Sequence, residues 1–225
     1  MIQIANAKII TKALINWLDC KYKDKTITTE ISVNTTFGTK VADVVVSNGH
    51  AVAYEIKSEL DTTARLESQI KGFSELFDYV YIVYWENKFT IDELKAPNNI
   101  GIISAKWNKS KQIEFKIIKK AKINNNITAE KVGNLLWKKE LEYFLQDKNI
   151  KTKTNYDKCT LVKLFMSNFN KTESMHIFRY ILKNRFKKGF LVYRENQLKD
   201  NSLELLTKYK VDMNYLEKMC DIDVI

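Results

Sequence analysis

The chain has 225 residues, 45% hydrophobic and 28% charged, with 37 Lys+Arg against 27 Asp+Glu and a formal charge of +10. That balance excludes a disordered chain and allows one large domain or two small ones with a real core. The longest apolar run, Tyr79 to Trp85, is too short for a transmembrane helix, and the lysine-bearing N-terminus does not read as a secretory signal.

From Ile4 to Leu18 the apolar positions Ile9, Ile10, Ala13, Leu14, Trp17 and Leu18 follow a helical period. Thr26 to Val33 alternates, with Ile27, Ile31 and Val33 on one face and Thr28, Glu30 and Ser32 on the other, and predicts a first strand. Lys40–Ser47 and Ala51–Lys57 predict two more strands, joined through Asn48-Gly49 as a hairpin. Asp61 to Phe77 returns to helical spacing, with Asp61-Thr62 as expected N-cap residues. Tyr79–Trp85 is apolar throughout, as a strand buried on both faces should be. Ile100–Ala105 and Gln112–Lys119 complete the strands. The polar run Ile123 to Thr128 is the expected boundary between a core at 1–122 and a mostly helical unit at 123–225. In that second unit Ala129–Leu145, Leu161–Phe169, Glu173–Lys187 and Leu203–Tyr209 carry helical spacing, and Gly189–Tyr193 reads as a possible strand. The order of elements predicts an α/β fold with a central mixed sheet flanked by helices, plus a small, mostly helical C-terminal domain.

Cys20, Cys159 and Cys220 are too few and too scattered for a disulfide framework, which points to the cytoplasm. With no close Cys pair and only His50 and His176, a structural zinc site is excluded. The positive charge suggests a polyanionic partner. Residues 1–120 hold 17 basic and 14 acidic side chains and residues 121–225 hold 20 and 13, so the excess is heavier in the C-terminal half, with a cluster at Lys183, Arg185, Lys187 and Lys188.

Three charged residues interrupt strands that should be apolar: Asp43 on the first strand of the hairpin, and Glu55 and Lys57 on the second. Burying them unpaired would cost several kcal/mol, so they should face one another or an ion. A two-residue loop at Asn48-Gly49 would turn Asp43 away from Glu55. A three-residue loop, Ser47-Asn48-Gly49, pairs Asp43 with Ala53 and gathers all three on one face, with Asp43 and Glu55 diagonal at roughly 7–8 Å. The three-residue loop is preferred because it makes one site of three misfits. Two carboxylates so placed can hold Mg²⁺, and a nearby Lys can position an attacking water and neutralise charge at phosphorus. On the following helix Gln69 falls at about 40°, inside the apolar arc of about 20° to 140°, so its amide needs a buried partner.

Asp43, then Glu55-Ile56-Lys57, then Gln69-Ile70-Lys71-Gly72-Phe73, resembles the PD-(D/E)XK nuclease superfamily, and ADVVV followed by YEIKSELDTTARLESQIKGFSELFDYVYIVY is similar to its small, stand-alone bacterial and phage members. The likeness covers about residues 26–85, with flanking elements to about 120, and Ala42 stands where many members have Pro. It implies a restriction-endonuclease-like core. It implies Mg²⁺ or Mn²⁺ held by Asp43, Glu55 and the Ile56 carbonyl, catalysis by Lys57, and support from Gln69. Such sites usually have an upstream acid, for which Glu30 is the candidate. Arg65, Lys183, Arg185, Lys187 and Lys188 would contact nucleic acid. The expectation is therefore a metal-dependent endonuclease acting on DNA, as a monomer or homodimer. The rivals are a non-catalytic nucleic-acid-binding module and a protein-interaction factor in phage–host conflict, working through its C-terminal domain.

Overall fold

The computed structural model describes residues 4–199, 202–208 and 215–216. Its frame is one six-stranded sheet whose spatial order follows the chain: β1 (Thr26–Thr35), β2 (Gly38–Ser47), β3 (Ala51–Lys57), β4 (Tyr79–Trp85), β5 (Gly101–Trp107) and β6 (Ile113–Lys119). The β1–β2, β2–β3 and β5–β6 pairs are antiparallel; β3–β4 and β4–β5 are parallel. Parallel neighbours need crossovers, and the first of these carries α2 (Leu66–Phe73). This is the expected α/β architecture with a mixed sheet flanked by helices.

Helix α1 (Ala7–Lys21) opens on Asn6, whose side chain accepts from Ile9 N, and lays Ile10, Leu14, Ile15 and Leu18 on one sheet face against Val44, Val46, Tyr54, Ile56 and Val83. The other face, with Val45, Ala53 and Ile82, is covered by α2 and by the C-terminal helices. These are α3 (Ala129–Leu135), α4 (Lys138–Asp147), α5 (Lys158–Asn168) and α6 (Lys171–Arg185). The chain then returns to the α1 side through α7 (Lys187–Glu195) and α8 (Ser202–Lys208), where Phe190, Tyr193 and Leu206 join that core.

Several local expectations are corrected. Gly189–Tyr193 is not a strand but part of α7, because Phe190 and Tyr193, three apart, bury together on one helical face. The helix expected from Asp61 begins at Leu66; the Asp61 carboxylate instead accepts from Ser58 N at 2.9 Å and from its hydroxyl, holding a turn. The segment Ala129–Leu145 is two helices, broken at Leu136-Trp137, where Trp137 N donates to Glu140 Oε2 at 2.6 Å. Across the expected boundary at 122/123, Ile31, Ala53 and Phe73 share one apolar cluster with Phe144, Phe165 and Phe178. Tyr209, the expected end of the last helix, and Cys220 lie outside the described residues.

Strand β1 departs from simple alternation. Ile27 packs on the α1 face, whereas Ile31 and Val33 pack on the α2 face. Between them Glu30 has φ of +54°, and the ladder to β2 skips the pair between Thr29↔Val44 and Ile31↔Ala42. A left-handed non-glycine residue inside a strand is strained, and here it reverses which face the following residues address.

Candidate functional site

The β2–β3 hairpin turns through Asn48-Gly49-His50, with Gly49 at φ of +93°, and the ladder runs from Ser47↔Ala51 to Val44↔Tyr54. A three-residue loop is therefore present, one position later than expected. Both placements keep the same parity, so the charged side chains still converge. Asp43 and Glu55 are the next residues on the two strands, beyond the last ladder pair rather than diagonal within it.

Asp43 Oδ2 accepts from the backbone N–H of Ile56 at 2.6 Å. Lys57 Nζ donates to Glu55 Oε1 at 2.8 Å and to Gln69 Oε1 at 3.0 Å. Gln69 reaches this far because α2 lies close on the hairpin: a Cβ added at Gly72 would sit 2.9 Å from Lys40 Cγ. Glu55, Lys57 and Gln69 are thus one hydrogen-bonded polar group, and Asp43 stands beside it on the Ile56 N–H. Ile56 is buried between β2 and β4.

Glu55 is 2% exposed, and its Oε2 is buried with no hydrogen-bond partner. Burial first, then the charge of Asp43, push its carboxyl up to about 7, while Lys57 and the Gln69 amide oppose the shift. Burial likewise raises Asp43 to about 6 against the pull of the Ile56 N–H and Lys57, and Asp61 and Glu30 add to the rise. The two acids influence one another's ionisation, so their protons come off as those of an interacting pair.

Glu30 is exposed and lines an open cavity of about 340 Å³ with Asp43, Lys8, Thr11 and, from α8, Leu203 and Glu204. Arg65 is exposed at the position preceding α2. The C-terminal basic cluster does not form a single surface. Arg185 is buried against Glu140, donating through Nε at 3.0 Å and Nη2 at 2.7 Å, and lies 4.1 Å over the Trp137 ring. Lys183 pairs with Asp24 at 2.6 Å, and only Lys187 and Lys188 stand exposed at the start of α7. The basic feature that sequence reading missed is Lys106 to Lys122, with seven lysines against Glu114 alone, six of the chain's ten net positive charges. Over residues 1–120 as a whole, 14 acidic side chains dilute it.

Among the described residues no group of three or more His, Cys, Asp and Glu side chains is arranged to hold a metal ion. The two carboxylates still offer hard oxygens, the unpartnered Glu55 Oε2 foremost. That donor set fits a cation such as Mg²⁺, which keeps several of its waters.

Fold and site together define a basic α/β protein with a buried acid–lysine network at the splayed end of its central hairpin. Residues 3–207 match the family described as bacteriophage P4 protein cII, and the chain belongs to that family. It is 30% identical to Protein cII of Enterobacteria phage P4 over 227 aligned positions, covering 97% of this chain and 84% of that protein. Membership in this family overturns the expected placement among PD-(D/E)XK nucleases, and with it the expectation of a metal-dependent deoxyribonuclease, endonuclease or hydrolase. The geometry gives a physical reason why the motif misled. An Asp, an E-x-K and a half-buried Gln serve equally to close an internal ion-pair network, and here Lys57 is 5% exposed with its ammonium bonded to Glu55 and Gln69. No helix among the described residues is long and apolar enough to cross a membrane.

Proposed function

We propose that the chain is a non-catalytic nucleic-acid-binding factor. The observation that carries this reading is the net charge of +10, six units of which fall between Lys106 and Lys122, where Lys109, Lys111, Lys116, Lys120 and Lys122 are exposed. Such lysines release condensed counterions from a phosphate backbone and give affinity without base recognition. The non-catalytic half of the reading is supported by family membership and by the internal engagement of Lys57. We further propose that Asp43 and Glu55, once ionised, accept Mg²⁺ or Mn²⁺ as a structural counter-charge to the pair.

The test is fluorescence anisotropy with labelled duplex DNA, single-stranded DNA and single-stranded RNA, followed by recovery of each oligonucleotide on a denaturing gel. Binding should weaken steeply between about 50 and 200 mM salt, and every oligonucleotide should return uncut with Mg²⁺ or Mn²⁺ present. Absence of binding at the lowest salt, or cut product with wild type that disappears in Glu55→Gln, refutes the proposal.

A further inference from the structure

We propose that the β6 edge of the sheet, together with the C-terminal end of α1 beside it, is the surface that contacts the nucleic-acid backbone; this rests on the reading of the chain as a nucleic-acid-binding factor. Among the described residues β6 ends the sheet and pairs with β5 alone, which leaves its outer edge without a neighbouring strand. Lys106, Lys109 and Lys111 lie at the start of this segment, Lys116 in its middle, and Lys119, Lys120 and Lys122 at its far end. Lys21 arrives from a different element: α1 packs on β6 through Trp17, whose ring lies 5.5 Å from Phe115, and Lys21 Nζ sits 4.4 Å over Trp17.

The lysines at the far end crowd one another. Burial lowers the affinity of Lys21 for its proton and the charge of Lys120 lowers it further; Lys119 is affected in the same way by burial and then by Lys122. Among the described residues no carboxylate lies within 4 Å of Lys21, Lys116, Lys120 or Lys122; of the acids nearby, Asp19 pairs with Lys25, and Glu86 pairs with Lys106 at the other end of the segment, at 3.6 Å. An arriving anion would relieve that repulsion.

The dimensions match a polynucleotide. A strand advances about 3.3 Å per residue and one strand of DNA carries a phosphate about every 3.4 Å along its axis, so the seven residues of β6 span about seven phosphates. Edge lysines also guard a sheet against unwanted strand pairing. That role needs charge on the strand itself, and leaves Lys109 and Lys111 in the turn, Lys122 beyond the strand, and Lys21 on a helix unexplained.

The experiment compares wild type with the triple variant Lys116→Gln, Lys120→Gln, Lys122→Gln and with the control Lys187→Gln, Lys188→Gln. All three are first matched for folding by circular dichroism and thermal melting. The triple variant should lower the slope of log K against log salt by about 0.9 on duplex DNA, or about 0.7 on single strands, for each lysine that meets a phosphate. The control should bind as wild type does. An unchanged slope in the triple variant, or an equal loss in the control, overturns this placement and leaves the broader reading standing. Wild type that binds no oligonucleotide overturns both, as does capture by phosphatidylserine vesicles in its place.

Discussion

Glu55→Gln removes the titrating half of the buried network while keeping its shape. The Glu55 carboxyl moves from an ordinary 4.5 in the unfolded chain to about 7 when folded. Between those values the folded protein holds a proton that the unfolded chain releases, so stability is fully present below about pH 4.5 and is lost as pH rises through 7. At 1.36 kcal/mol per pH unit the loss is about 3 kcal/mol, or roughly 6–12 °C in melting temperature for a chain of this size. Asp43, raised from 3.8 to about 6, acts in the same direction. Carboxyls held low by partners, such as Glu173 beside Lys148, lose their contribution only in more acidic solution and stay out of this window. Melting by circular dichroism in chelator, from about pH 5 to pH 8, should show wild type most stable at the acid end. Glu55→Gln, a neutral stand-in for the protonated acid, should have a flatter profile and lose less stability than wild type as pH rises. Parallel profiles for the two proteins would refute the assignment of the linked proton to Glu55.

Divalent metal should compete with that proton: at about pH 7.5, Mg²⁺ at a hundredfold excess over its dissociation constant should stabilise wild type by about 2.7 kcal/mol. An equal shift in Asp43→Asn with Glu55→Gln would remove the site. The Arg185–Glu140 pair is fully enclosed, with Glu140 at 0% exposure and also accepting from the Tyr215 hydroxyl. Arg185→Met should therefore cost about 3–5 kcal/mol in urea denaturation, much of it recovered when Glu140→Leu is added; a cost below about 1 kcal/mol, typical of an exposed pair, would count against it.

The sheet was legible where side chains alone decide. Tyr79–Trp85 and Ala51–Lys57 have the bounds expected of them, because β-branched and aromatic runs bounded by turn residues leave few alternatives. The convergence of Asp43, Glu55 and Lys57 followed from parity, which survives a shift of two residues in the pairing; parity therefore could not say which three residues form the loop. The face reversal at Glu30 left no trace in the sequence, since nothing marks a glutamate for the left-handed region. Arg185 looked like surface charge because its partner Glu140 lies 45 residues upstream on another helix. The helical period over 129–145 was real, but a Trp137 N–H capped by Glu140 ends one helix and begins another inside it.

On the proposed function, the positions of the two charged regions bear on how a nuclease-like triad and a nucleic-acid-binding surface would sit in one sheet. The carboxylates project from β2 and β3, whereas the lysine-rich strand is the sheet's far edge, three neighbours beyond β3. At about 4.8 Å between strands that separation is roughly 14 Å across the sheet. A backbone laid along β6 would be held away from Asp43 and Glu55, on a segment where seven lysines face one acid, Glu114. The opposite placement would set a polyanion against Asp43, Glu30, Asp61 and Glu204, whose charges repel it. The acid–lysine network then has a structural part to play: Lys57 and Gln69 bind α2 to the centre of the sheet, and the strained turn of β1 at Glu30 opens the ladder where that network meets solvent.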